Sequence, residues 1–229
     1  MYKFILFVLC LSCNLICLGQ ENIFTSRVYW TSNPTIEDVK SDIEYGNDPT
    51  EFNKYRFDAV TWAIIEDVSN ETVQFLINIE GNGVNKRSHD GRTPIFWAAY
   101  RNNIELMHFL IKHDARTDLI DDHGYSLVNF AATTGQLNIK LYELCRLNGA
   151  QFDSELNTEG ASPLLLLTPF IKDPDVINYF TKNGLSIHHK DVNGNNAFVY
   201  AAKTGNKVMM DYFLKLGLDP RINNDAAIL

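Results

Sequence analysis

Apolar residues recur along this chain at helical spacing in short blocks, each closed by a residue suited to a left-handed stop. In the clearest block Ile95, Phe96, Trp97, Ala98 and Ala99 follow Thr93-Pro94, Asn102 breaks the run, and Leu106, Phe109 and Leu110 resume it. The pattern predicts two helices joined by a tight turn. Thr93 is expected to cap the first, Pro94 sits in the first turn where its missing N–H costs nothing, and Asn102 takes the left-handed conformation that ends it. The small pair Ala98-Ala99 lets a second helix approach closely. One such unit has too little core to fold alone.

The same punctuation returns at fixed distance. Gly91 is followed 33 residues later by Gly124, Ala98-Ala99 by Ala131-Ala132, and Asn102 by Gly135. Gly160-Ala161-Ser162-Pro163-Leu164 and Gly194-Asn195-Asn196-Ala197-Phe198 open two more copies, the second with Ala201-Ala202 and Gly205 in register. Upstream, Thr35 is expected to cap a helix with Glu37 and Asp38 in its first turn, and Phe57 to Ile65 and Asn70 to Ile77 supply a helix pair in which Asn70 caps the second. Downstream, Tyr125 to Thr134 and Leu137 to Asn148 form a pair whose second helix is expected to be two residues long for its class. Leu164 to Leu167 reads as an inner helix buried on both sides, with Pro169 and Pro174 in place of the usual glycine stop. Asn196 to Thr204 and Lys207 to Leu216 make the last complete pair. Asn224 to Leu229 reads as the opening of a further helix, and no polar cap is legible, so the chain is expected to be the front of a longer protein.

A fixed period with repeated helix stops is the mark of a solenoid. These residues resemble the ankyrin repeat, whose unit carries Asp-Gly-x-Thr-Pro-Leu-His-x-Ala-Ala and ends in Gly-Ala-Asp; the best match runs from Asp90 to Asp118. The resemblance implies an all-α solenoid of stacked helix-turn-helix units with protruding turn loops. The array is expected over residues 35–229, as about five to six units with the last truncated, after a lead-in over 20–34. The signature's histidine is missing: its position holds Phe96, Asn129, Leu165 and Val199. The histidine's bonding between neighbouring turns is therefore absent, which calls the rigidity of the tips into question.

Composition narrows the setting. The 229 residues are 45% hydrophobic and 21% charged with a formal net charge of -8, which argues against a duplex nucleic-acid binder needing a basic face. Residues 1–19 differ from the rest. Lys3, the apolar run Phe4 to Leu11, and Cys17-Leu18-Gly19 before Gln20 read as a secretory signal peptide, and the run falls short of the about 20 residues of a membrane span. Leu11-Ser12-Cys13 also resembles a bacterial lipobox, which leaves a lipoprotein anchored at Cys13 as the alternative to a periplasmic or secreted protein. After cleavage only Cys145 remains, so no intramolecular disulfide is expected and the thiol reads as a small buried hydrophobe.

No reactive constellation stands out: there is no His-Glu-x-x-His, no Gly-x-Ser-x-Gly and no phosphate-cradling loop. His188-His189 with Asp191, and His123 beside Asp121-Asp122, read as turn residues rather than metal ligands. Trp62, Phe96, Trp97, Phe109 and Phe130 read as interlayer packing. No catalytic, cofactor or metal site is expected, and the chain is read as a monomeric binder of a protein rather than an enzyme. The resemblance places partner contacts at Arg87, His89, Asp90, Arg92, Tyr100 and Arg101, at Asp122, His123, Tyr125, Thr133 and Thr134, and at Lys190, Asn193, Asn195 and Lys203. The function implied is an exported, bacterial-type interaction scaffold of the cell envelope or exterior, binding an envelope protein or neutralising a toxin-like one. The alternative is an accessory region of a longer exported enzyme or toxin.

Overall fold

The structure is a computed structural model and describes residues 21–222, 226 and 227. The segment read as a signal peptide lies outside the described residues. Helices come in pairs: α1 (Arg27–Trp30) with α2 (Ile36–Glu44), α3 (Ala59–Ile65) with α4 (Asn70–Ile77), and α5 (Pro94–Tyr100) with α6 (Ile104–Lys112). They continue as α7 (Leu127–Thr133) with α8 (Ile139–Leu147), α9 (Pro163–Leu167) with α10 (Asp175–Lys182), and α11 (Ala197–Lys203) with α12 (Lys207–Lys215). The first helix of each pair packs on the first helix of the next, making an inner row from α1 to α11.

Small residues permit that row. Ala59, Ala63, Ala98, Ala99, Ala131, Ala132, Ala197 and Ala201 have no exposed surface, and larger side chains such as Phe96, Leu106 and Leu110 fill the space between pairs. The all-α repeat architecture stands as the sequence predicts. Asn102 (φ 54°) ends α5, and Gly135 (φ 79°) and Gly205 (φ 67°) end α7 and α11. Leu164 to Leu167 are all buried in α9, which runs into a 3-10 turn, Thr168–Phe170, where the prolines displace the glycine stop.

Several local expectations are corrected. Thr93 stands at the N-cap of α5, but its hydroxyl caps nothing and is buried without a partner. The cap of α4 is Ser69, whose Oγ accepts from the Thr72 N–H; Asn70 is the first helical residue, and its Oδ1 instead accepts from Asn103 Nδ2 at 2.7 Å. The two surplus residues of the Tyr125 to Asn148 unit lengthen the turn, not the helix: α8 has nine residues, as do α6 and α12, and Gln136 to Asn138 stand where Asn103 or Asn206 stands alone. The lead-in, by contrast, packs on the first repeat as the sequence predicts: α1 contacts α3, Phe24 and Trp30 are fully buried, and Trp30 Nε1–H donates to the Phe24 carbonyl at 2.9 Å. Ala226–Ala227 (β2) pairs antiparallel with Arg221–Ile222 (β1), so these two residues of the expected final helix are extended.

Candidate protein-binding face

The turn tips are built alike. Asn53, Asp121, Asn157 and Asp191 each open a tip, and each Oδ1 accepts two backbone N–H groups, from the second and fourth residues on. The pairs are Tyr55 and Phe57, His123 and Tyr125, Glu159 and Ala161, and Asn193 and Asn195, at 2.7 to 3.0 Å. The opening residue's own N–H closes the loop on the carbonyl of the fourth residue, at 2.8 to 3.1 Å. In the remaining tip Ser88 does the same work differently: its Oγ–H donates to the Arg92 carbonyl, and its Oγ accepts from Trp97 Nε1, both at 2.9 Å. Neighbouring tips are joined by Asp122 N–H to the Asp90 carbonyl and Val192 N–H to the Glu159 carbonyl, each 2.9 Å. The rigidity that the missing histidine left in question is thus supplied by Asx turns. The signal was legible as an Asn or Asp recurring ahead of four of the five tips.

Glycine is required where tips nest. Gly91 has φ 70°, and a Cβ there would lie 2.3 Å from Asp122 Oδ1; at Gly124, φ 80°, it would lie 2.4 Å from Thr158 Cγ2.

The structure divides the sequence-predicted contact residues. His89 is half-buried, its Nδ1 bonded to the Tyr55 carbonyl at 2.8 Å and its ring stacked on Phe57 at 4.2 Å. Because a carbonyl can only accept, Nδ1 carries the proton. Asp90 takes a left-handed backbone, φ 56°, and its Oδ2 accepts from Arg92 Nη1 at 3.0 Å, with His89 Nε2 at 3.4 Å and His123 Nε2 at 3.2 Å. Arg87 lies 4.0 Å from the exposed carboxylate of Asp122. Tyr100 is 37% exposed beside Trp97 and Phe130, and Arg101 pairs with Asp67 at 3.2 Å. Tyr125 and Thr133 are half-buried, and the Thr134 hydroxyl is turned back onto the Phe130 carbonyl. Lys190, Asn193 and Lys203 are exposed but two units further along, with Lys203 Nζ 4.7 Å above the Tyr200 ring.

Two of these residues do not face a partner. Arg92 is only 9% exposed: its Nε donates to Asp121 Oδ2 at 2.9 Å, and its guanidinium lies 4.2 Å over Phe130 and 5.4 Å over Trp97. It clamps one tip to the next. Asn195 is buried with its Nδ2 on Asp191 Oδ2 at 2.8 Å. The same Asp191 oxygen accepts from the Tyr200 hydroxyl at 3.0 Å. Burial alone would raise the Asp191 carboxyl, but the bonds from Asn195, Tyr200 and Asn193 outweigh it and hold the group below the usual carboxylate range. The Tyr200 phenol is pushed up by burial first and by Asp191 second.

Phe96, Trp97 and Phe130 are buried and pack between layers as the sequence predicts, and the fourth residue after each cap forms a row: Trp62, Trp97, Phe130, Leu166 and Tyr200. Phe57 stacks on Trp62 at 4.2 Å and reaches Trp97 at 6.0 Å, Trp97 meets Phe130 edge-on at 5.9 Å, and Arg27 lies 5.8 Å over Trp62. Half-buried Phe57, Trp62 and His89 together with Tyr100 make one continuous aromatic band along the tips and inner helices.

His189 and the carboxylates of Asp191 and Asp121 are committed to the turns. His189 Nε2 bonds the Gly160 carbonyl at 2.8 Å, and both carboxylates are taken up by backbone N–H groups, Asn195, Tyr200 and Arg92. Among the described residues no group of three or more His, Cys, Asp and Glu side chains is arranged to hold a metal ion, and no helix is long and apolar enough to cross a membrane. Cys145 is buried, and that burial pushes its thiol up to about 12.

Stacked helix pairs with nested tips and a continuous inner row define a helical repeat solenoid. Residues 60–155 match the family model for ankyrin repeats, in three copies. This match and the relatives below support an ankyrin repeat family. It is 26% identical over 153 residues to the ankyrin repeat protein nuc-2 of Neurospora crassa, an alignment covering 66% of this chain and 14% of that protein. It is 26% identical over 193 residues to a putative palmitoyltransferase ZDHHC13 of Danio rerio, covering 83% of this chain and 29% of that protein. The chain therefore spans less than a third of the length of either relative. A chain of the solved complex of the Bdellovibrio bacteriovorus predatory endopeptidase Bd0816 with immunity protein Bd3460 has the same fold, with a TM-score of 0.67 and 19% identity over 86% of this chain and 98% of that one.

Proposed function

We propose that this chain is a non-catalytic scaffold that docks a partner protein on the face made by its turn tips and inner helices. Stacked repeats present such a face by construction, because each unit repeats the same positions one layer on. The observation that carries the reading is the aromatic band: Phe57, Trp62, His89 and Tyr100 keep part of their surface open while rigid Asx turns and nested glycines fix their positions. Pre-positioned aromatic side chains lose little freedom on binding and supply the residue types of interface hot spots. The finer reading is an exported protein acting in the envelope or outside the cell on an envelope or toxin-like protein, and it rests on the charge and apolar pattern of residues 1–19.

A second reading, an accessory array within a longer enzyme, is favoured by one observation: the relatives are several times longer than the aligned segment, and one is named as a palmitoyltransferase. Parallel capture from envelope extract with the wild-type array and a His123→Ala/Tyr100→Ala array tests the scaffold reading. It predicts a stoichiometric partner on the wild type that the double variant loses; equal capture by both would sink it. Intact-mass measurement of the protein from the envelope fraction tests the export proposal, which predicts an N-terminus near Gln20, whereas a diacylated Cys13 would replace a soluble protein with an anchored one.

A further inference from the structure

The second helices leave a groove that shares no lining residue with the binding face. It has a volume of about 370 Å³ and is lined by Ile104 and His108 of α6, by Ile139, Lys140, Glu143, Leu144 and Leu147 of α8, and by Tyr179 of α10. The groove lies where the lengthened turn, Gln136 to Asn138, leads into α8, and it follows that helix from Ile139 at one end to Leu147 at the other. Ile104, Ile139, Leu144 and Leu147 supply its apolar surface beside His108, Lys140, Glu143 and Tyr179; Leu144 is buried as a floor, and Leu147 is 68% exposed at the far rim.

The charges at the groove are unequal. Glu143 is already engaged, receiving two bonds from Arg146 at 2.6 and 2.9 Å and one from the Tyr179 hydroxyl at 3.0 Å. Among the described residues Lys140 makes no ion pair, and it stands at the opposite end of α8 from Leu147. The surface is therefore an apolar channel with one uncommitted cation at its entrance, complementary to a molecule with an apolar body and one anionic end. Size selects a small occupant: eight residues line the groove, against roughly 20 to 30 on each side of a protein interface. A cavity of about 150 Å³ suffices for benzene, so this groove accommodates a chain of some ten carbons.

We infer that the outer groove between α6 and α8 binds a single-chain carboxylate amphiphile, its tail along Ile104, Ile139, Leu144 and Leu147 and its carboxylate at Lys140. The site is independent of the tip face and stands whether or not a protein docks there. The test is titration of the array with decanoate and with decan-1-ol, below micelle-forming concentrations, followed by methyl and amide NMR shifts. Saturable shifts on Ile104, Ile139 and Leu147 are expected, with decanol at least fivefold weaker than decanoate. Lys140→Met should erase that difference, and Leu147→Asp should weaken both ligands while the amide spectrum of the inner helices stays unchanged. Linear unsaturable shifts, shifts centred on the tips, or equal affinity for acid and alcohol would overturn the assignment.

Discussion

Arg92 shows how a side chain of the right type for a binding face can be spent inside the fold. Its guanidinium closes onto Asp121 and Asp90 and lies over Phe130 and Trp97, so removing it leaves the Asp121 carboxylate buried with no cation. Breaking one side of a buried pair typically costs about 3 kcal/mol or more. Arg92→Ala is therefore expected to lower the melting temperature by several degrees, and an unchanged melt would show that the clamp contributes nothing. Asp191 gives a residue-scale prediction with a sign. Its folded carboxyl lies below the unfolded value of about 3.9, so the stability it contributes is present above that pH and is lost as pH falls through the folded value. Asn157 already makes the same two backbone bonds as an amide, so Asp191→Asn should fold. Below about pH 4 the gap in stability between wild type and Asp191→Asn should close, while from pH 5 to 7 it stays constant; a gap that widens with acid would reverse the assigned sign.

At the scale of the element, the alanine pairs set the spacing of the inner row. Ala98 has no exposed surface, and an arginine there must overpack the layer or bury an unpaired charge. Ala98→Arg is expected to cost about 3 kcal/mol or more, whereas Tyr100→Ala, on the open side of the same helix, should melt close to wild type. Equal loss in the two variants would mean that the register of α5 is wrong. These registers were legible in the sequence because glycine, proline and alanine act locally. Asn102, Gly135 and the run Leu164 to Leu167 each declared their role without knowledge of what packs on them. The capping of α4 by Ser69 and the silence of the Thr93 hydroxyl were not legible, since neighbouring residues compete for one N–H and only the backbone decides. Nor did residue type reveal that Arg92 and Asn195 turn inward, because that depends on Asp121 and Asp191, which only the folded tips bring within reach.

At the scale of the whole molecule, the account holds that rigid tips and an aromatic band present one protein-binding face, with the outer helices left to a separate groove. The candidate face was half legible: the positions followed from the repeat, but the continuity of Phe57, Trp62, Trp97 and Phe130 needed the stacking of three units. The decisive measurement is the dissociation constant of the captured partner for three arrays of equal melting temperature: wild type, His123→Ala/Tyr100→Ala on the tip face, and Leu147→Asp on the outer helices. Truncating two hot-spot candidates should cost about 2 kcal/mol, so the tip-face variant is predicted to bind at least tenfold more weakly while Leu147→Asp matches wild type. Undiminished binding by the tip-face variant, or loss confined to Leu147→Asp, would contradict the account.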